Sequence, residues 1–193
     1  MQGKDPADPQ AQERRRRVPT PLDRPRLEEM ALAYVARFAT SAGKLERYLI
    51  RKLRERGWDG EGAPPVEAII ARHVELGYID DAGFARARAG SLLRRGYGPR
   101  RIGQALGEAG IAEPIRQDVR PDGAARRQAA LALARKRRFG PFGGKPSTDP
   151  ALRQKQIAAM LRAGHMLAEI RGVLDAPSPA AAEGWAADAD DDD

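Results

Sequence analysis

Three glycines, Gly57, Gly110 and Gly164, punctuate this chain 53 and 54 residues apart, and each closes an amphipathic helical pattern. Leu53, Leu106 and Met160 stand four residues before them. A recurrence on this scale implies stacked copies of one small unit, in which loops vary while a middle helix and its glycine stop return. Each unit is about fifty residues, too small to bury much core alone, so neighbouring units must pack on one another. The expected fold is therefore all-α, an elongated tandem array of three three-helix repeats. An ordinary helical bundle with a chance spacing is the alternative.

The helical grammar supports nine short helices. Leu27, Met30, Tyr34 and Phe38 lie three or four residues apart, as do Leu45, Leu49 and Leu53, so each set forms one apolar face. Ser41 suits an N-cap, and Gly57 suits the left-handed position that ends the second helix. Pro64 and Pro65 open a third with Val66, Ile69, Ile70 and Val74 as its stripe and Gly77 as its stop. Asp80 caps a fourth carrying Phe84, Ala87 and Leu92. Pro99 starts a fifth with Ile102 and Leu106, and Pro114 a short sixth with Ile115 and Val119. Asp122 caps an Ala-rich seventh to about Arg138. Asp149 and Pro150 open the eighth, with Leu152, Ile157 and Leu161, and the ninth carries Leu167, Ile170 and Leu174. The expected units are residues 27–79, 80–121 and 122–175.

Charge separates these units from the two ends. The whole chain carries 34 Lys+Arg against 27 Asp+Glu, a formal +7. Residues 1–26 form a Pro-broken basic arm with Arg14 to Arg17, expected to be disordered. Residues 176–193 hold six acids and no base, an acidic tail also expected to be disordered. The intervening residues carry 27 bases and 17 acids, or +10, so the tail masks the charge of the core. Arg outnumbers Lys 28 to 6, which suits bidentate contact with phosphate or carboxylate, although codon bias gives the same skew.

Chemistry-bearing constellations are scarce. With no cysteine, disulfides, thiolate metal sites and cysteine nucleophiles are excluded. His73 and His165 fall in different units with no carboxylate at ligand spacing, so no metal and no cofactor are expected. His73 reads as a partly buried, satisfied side chain. Ser41, Ser91, Ser147 and Ser178 lack a nucleophile-elbow context. The Asp80-Asp81 pair fits helix capping better than a divalent ion, and Gly96-Tyr97-Gly98 precedes no phosphate-loop sequence. The expectation is a protein that is not an enzyme. No apolar run approaches the roughly 18 residues of a membrane span, and the first residues lack the apolar region of a secretory signal. No membrane contact and a cytoplasmic location are expected.

What remains is basic clustering. Arg94, Arg95, Arg100 and Arg101 flank the Gly96 to Pro99 turn, and Arg135, Lys136, Arg137 and Arg138 end the seventh helix. Helix C-termini favour cations, but both clusters exceed what capping needs. They suit a phosphate backbone or an acidic protein surface. Aromatics are 5% of the chain, too few for base stacking to be the main device.

The run Leu76-Gly77-Tyr78-Ile79-Asp80-Asp81, then Phe84-Ala85, Arg94 to Ile102, Leu106 and Gly110-Ile111 resembles the central signature of the RecX family of bacterial recombinase regulators. Residues Ala31 to Ala36, Ser41 and Leu45 to Gly57 are similar to its first unit. Arg137 to Phe142 and Met160 to His165 are similar to a variant of its third. The resemblance covers about residues 27–175 and leaves out the arm and tail. It implies a modular helical protein, a monomer, that lodges in the groove of a RecA recombinase filament on single-stranded DNA. It would lower ATP hydrolysis and strand exchange, with weak, salt-sensitive contact to the DNA itself. The family carries no catalytic residues over; its signature falls on Arg94, Arg95, Arg100 and Arg101. The other classes to weigh are a direct nucleic-acid-binding protein of helix-turn-helix type and a metal-dependent nuclease using Asp80 and Asp81.

Overall fold

A computed structural model of the chain describes residues 20–143 and 149–188. These contain ten α-helices, a 3₁₀ turn at Gly140–Gly143 and no strand beyond one isolated bridge. The helices are α1 (Arg24–Arg37), α2 (Ala42–Arg56), α3 (Val66–Glu75), α4 (Asp81–Arg94), α5 (Pro99–Glu108), α6 (Glu113–Asp118), α7 (Gly123–Arg137), α8 (Pro150–Arg162), α9 (Leu167–Leu174) and α10 (Pro179–Ala187). No described helix is long and apolar enough to cross a membrane.

The caps follow the sequence closely. Asp23, Ser41, Asp80, Asp122, Asp149 and Ser178 each accept a backbone N–H in the first turn of the helix they precede. The buried faces follow it less well. Phe38 lies past the end of α1 and is 53% exposed, while Leu27 and Ala31 are buried. Val74 is 47% exposed, and Ile69 and His73 form the inner face of α3. On α4, Ala85, Ala89 and Leu92 are buried in place of Phe84 and Ala87. Small side chains let short helices approach closely, so alanine often takes the inside position that hydropathy would give to a larger neighbour.

Buried apolar residues gather mainly in three clusters. Leu22, Leu27, Leu45, Leu49 and Ile69 hold α1 to α3 together. Ala85, Leu92, Ile102, Leu106 and Ile111 hold α4 to α6. Ala130, Ala134, Met160, Ile170 and Val173 hold α7 to α9. Tyr97 packs against both the second and the third.

The two junctions between these groups share one design. The N-terminal end of α2 meets the glycine that ends α5: Ser41 Oγ donates to Ala109 O (2.6 Å), and a Cβ on Gly43 would stand 2.8 Å from Gly110 Cα. The N-terminal end of α5 likewise meets the glycine that ends α8: Gly98 N donates to Ala163 O (2.9 Å) and Arg100 N to Gly164 O (3.2 Å). Gly164 has φ +94°, and a Cβ there would overlap Arg101 N. Only glycine combines this left-handed turn with such a close approach. Asp80 and Asp81 divide their work across the first junction. Asp80 Oδ1 accepts from Gly83 N in its own helix (2.8 Å), and Asp81 Oδ1 accepts from Ala42 N of α2 (2.9 Å).

Both ends of the chain depart from the expected disorder at their inner edges. Leu22 is fully buried and pairs with the α2–α3 connection, its N–H donating to Gly57 O (3.0 Å) and its carbonyl accepting from Asp59 N (2.8 Å). An apolar Leu22 and the capping Asp23 thus order residues 20–26. The acidic tail is likewise helical from Pro179 to Ala187, with Ala182 and Ala186 buried against Leu131. Its six acids obscured a short Ala-rich amphipathic helix. Arg14 to Arg17, residues 144–148 and Asp190 to Asp193 lie outside the described residues.

Candidate functional site

The second junction also assembles a strongly cationic concavity. The turn after α4 sets Gly96 at φ +82°, with its Cα side against the Leu133 backbone of α7. The Gly96 carbonyl accepts a hydrogen bond from His165 Nε2 (3.0 Å). These contacts hold Arg95 at the end of α4 beside the end of α7 and the last turn of α8. The result is a cavity of about 270 Å³ whose walls include Arg95, Lys136, Arg137 and Arg162, with Tyr97 and Phe139 between them.

All four cations are exposed, and none forms an ion pair with a described carboxylate. The Arg95 guanidinium lies 5.4 Å from the Tyr97 ring centre, within cation–π range. Four unpaired cations around one depression give it a positive potential that attracts anions, and a phosphodiester or a set of carboxylates there would replace bulk counterions.

The fold thus sorts the residues singled out in the sequence. Arg95, Lys136 and Arg137 come together from the two clusters. Arg94 is exposed and its guanidinium lies back over Gly90. Arg100 lines a separate depression with Arg116 and Arg120. Arg101 donates to Gln104 Oε1 (2.8 Å) on its own helix. Arg135 is committed to Glu183 of α10 and lies over the Phe142 ring. Arg138 takes the left-handed cap of α7, at φ 56°, and lines another depression with Arg153. Arg162 is the residue that sequence reasoning missed. It is a lone cation in its helix turn and becomes part of a cluster only because α7 and α8 share the third core, each packed on α9.

His73 is buried, its Nδ1 hydrogen-bonded to Ile69 O (2.8 Å). His165 is buried at the second junction, and burial lowers its pKa from the ordinary 6.5, against weaker opposing effects of the Gly96 carbonyl and Glu169. No group of three or more metal-ligating side chains occurs among the described residues.

A family model of the RecX second three-helix domain matches residues 80–119, which span α4 to α6. The regulatory protein RecX of Myxococcus xanthus is 34% identical over 157 residues, covering 77% of this chain and 84% of that protein. The chain belongs to the RecX family. A RecX protein of Thermus thermophilus is 36% identical over 108 residues, covering 56% of this chain and 71% of that one. The fold agrees: the crystal structure of RecX from Lactobacillus salivarius superposes with a TM-score of 0.62 at 20% identity, covering 78% of this chain and 96% of that one. The RecX second-domain match contains Arg94, Arg95, Arg100 and Arg101, whereas Lys136, Arg137 and Arg162 lie beyond it.

Proposed function

We propose that this RecX protein is a non-enzymatic cytoplasmic regulator that binds the RecA recombinase filament on single-stranded DNA and restrains its ATP hydrolysis and strand exchange. The observation that carries the reading is the cavity of Arg95, Lys136, Arg137 and Arg162, four unpaired cations from three helices in a family named for regulation. It is open and strongly cationic, which suits gripping a polyanionic filament. The protein acts as a monomer, and its own contact with single-stranded DNA is weak and salt-sensitive. Arg94, Arg100, Arg101 and Arg138 extend the basic surface beyond the cavity, and Arg135 joins it when released from Glu183.

Sedimentation with filaments tests the reading. The protein is expected to pellet with RecA assembled on single-stranded DNA and, below one copy per recombinase, to lower the DNA-dependent ATPase. An unchanged ATPase together with protein left in the supernatant would overturn it.

A further inference from the structure

The third helical group seats an extra helix that the first group lacks. α10 packs on both α7 and α9, with Ala182 and Ala186 buried against Leu131 and Trp185 lying over Gly172 of α9, where a Cβ would overlap its ring. Gln128 Nε2 donates to Ala186 O (2.8 Å) and the Arg127 guanidinium donates to Asp188 O, so two side chains of α7 hold the C-terminal end of α10. α1 repeats this face. Counted from the N-cap aspartates Asp23 and Asp122, Ala31 and Ala130 hold the same position, and both are fully buried. On the same count Glu28, Glu29 and Leu32 stand where Arg127, Gln128 and Leu131 stand. Leu131 is 6% exposed under α10, whereas Leu32 is 51% exposed. It lines an open groove of about 410 Å³ between α1 and α3, with Glu28, Glu29, Arg72, Leu76 and Tyr78 also in its walls. Leu76 and Tyr78 are likewise more than half exposed. A contiguous apolar surface inside a polar rim marks a contact site.

We propose that the α1–α3 groove docks an amphipathic helix on a recombinase subunit of the filament, seated as α10 is seated on α7 and α9 but with the opposite polarity. The polarity follows from the rim. Arg127 and Gln128 donate to carbonyls at the end of α10, while Glu28 and Glu29 at the matching positions can only accept. Glu28 is held by Arg24 (2.8 Å), and Glu29 pairs with no described cation. The docked helix therefore turns its N-terminal N–H groups toward Glu29 and lays its apolar face on Leu32, Leu76 and Tyr78. Arg24 and Arg72 balance the two carboxylates, so the groove lacks the positive potential that draws a phosphate backbone, which fits a protein partner. The inference rests on reading this chain as a filament regulator, and it gives that regulator a protein contact apart from the cationic cavity.

Co-sedimentation with RecA assembled on single-stranded DNA tests it, beside fluorescence anisotropy of the same proteins on free labelled oligothymidylate. Leu32→Glu and Glu29→Lys should each bind filaments about tenfold more weakly than wild type. Leu32→Glu should bind free oligothymidylate nearly as wild type does, because the groove lies outside the cationic cavity, and Glu29→Lys, which adds positive charge, should bind it no more weakly. Both side chains are exposed, so thermal melting should match wild type; were Leu32→Glu to melt early, Glu29→Lys decides the matter. Wild-type filament affinity in both variants, or an equal loss on filaments and on free oligothymidylate, would overturn the docking site. So would a concentration-dependent self-association of wild type that Leu32→Glu abolishes, since a second copy would then occupy the groove. Wild type that stays in the supernatant with filaments would instead overturn the filament reading itself, and the docking site with it.

Discussion

At the residue scale, the second junction depends on glycines that no other residue can replace. A Cβ on Gly98 would overlap the Gly164 carbonyl, and both partners are backbone, so neither can swing aside. Gly98→Ala is expected to destabilise the fold by about 3 kcal/mol, the range of buried steric conflict, as read by urea unfolding. His165 at the same junction predicts a pH response. Its folded-state pKa is lowered, so the folded protein binds fewer protons than the unfolded chain as pH falls past the ordinary value of 6.5. Stability should therefore hold above that pH and decline below it. A His165→Gln variant should show a flatter stability profile between about pH 7 and 5; an equally steep profile would assign the response to other groups. Residues of this kind were partly legible in the sequence. The capping Ser and Asp residues and the glycine stops act through local backbone geometry, so one sequence reveals them. Val74, Phe38 and Leu167, at 47%, 53% and 49% exposure, were assigned to the inside because hydropathy does not say which side of a short helix has a neighbour.

At the scale of elements, several contacts join helices that the sequence treats as separate. Asp81 begins α4 but accepts the N–H of Ala42 at the start of α2. Asp81→Ala should cost about 1 kcal/mol, a typical cap loss, and should speed amide exchange at the start of α2 rather than in α4. Leu22, placed in a disordered arm by its neighbours' charge and proline content, is fully buried in the first core. Leu22→Ala should lower stability by about 3 kcal/mol in urea unfolding, whereas a disordered Leu22 would make the change silent. Glu169 Oε1 meets Arg126 Nε at 3.1 Å and Oε2 accepts from Met166 N at 3.0 Å, tying α9 to α7. These contacts were illegible because each joins residues on different turns or helices whose approach only the folded chain sets. The same reason hid Arg162, which joins the cationic cavity only once α7 and α8 both pack on α9.

For the whole molecule, the net +7 is less informative than its distribution. The helical groups place Arg95, Lys136, Arg137 and Arg162 around one cavity, while Glu183 of α10 occupies Arg135 beside it. If single-stranded DNA is held through those cations, replacing Arg95 and Arg162 by Gln should reduce the slope of log affinity against log salt by about 1.4, or 0.7 for each phosphate no longer neutralised. An unchanged slope would place the DNA elsewhere. The most direct measurement is an ATPase titration of RecA on single-stranded DNA with the wild type and with a variant carrying Arg95→Gln, Lys136→Gln, Arg137→Gln and Arg162→Gln. The wild type should inhibit at substoichiometric amounts, and the variant, with unchanged helicity, should require at least tenfold more protein, a weakening of about 1.4 kcal/mol in binding free energy. Equal inhibition by both, or none by the wild type, would contradict a filament grip at this cavity.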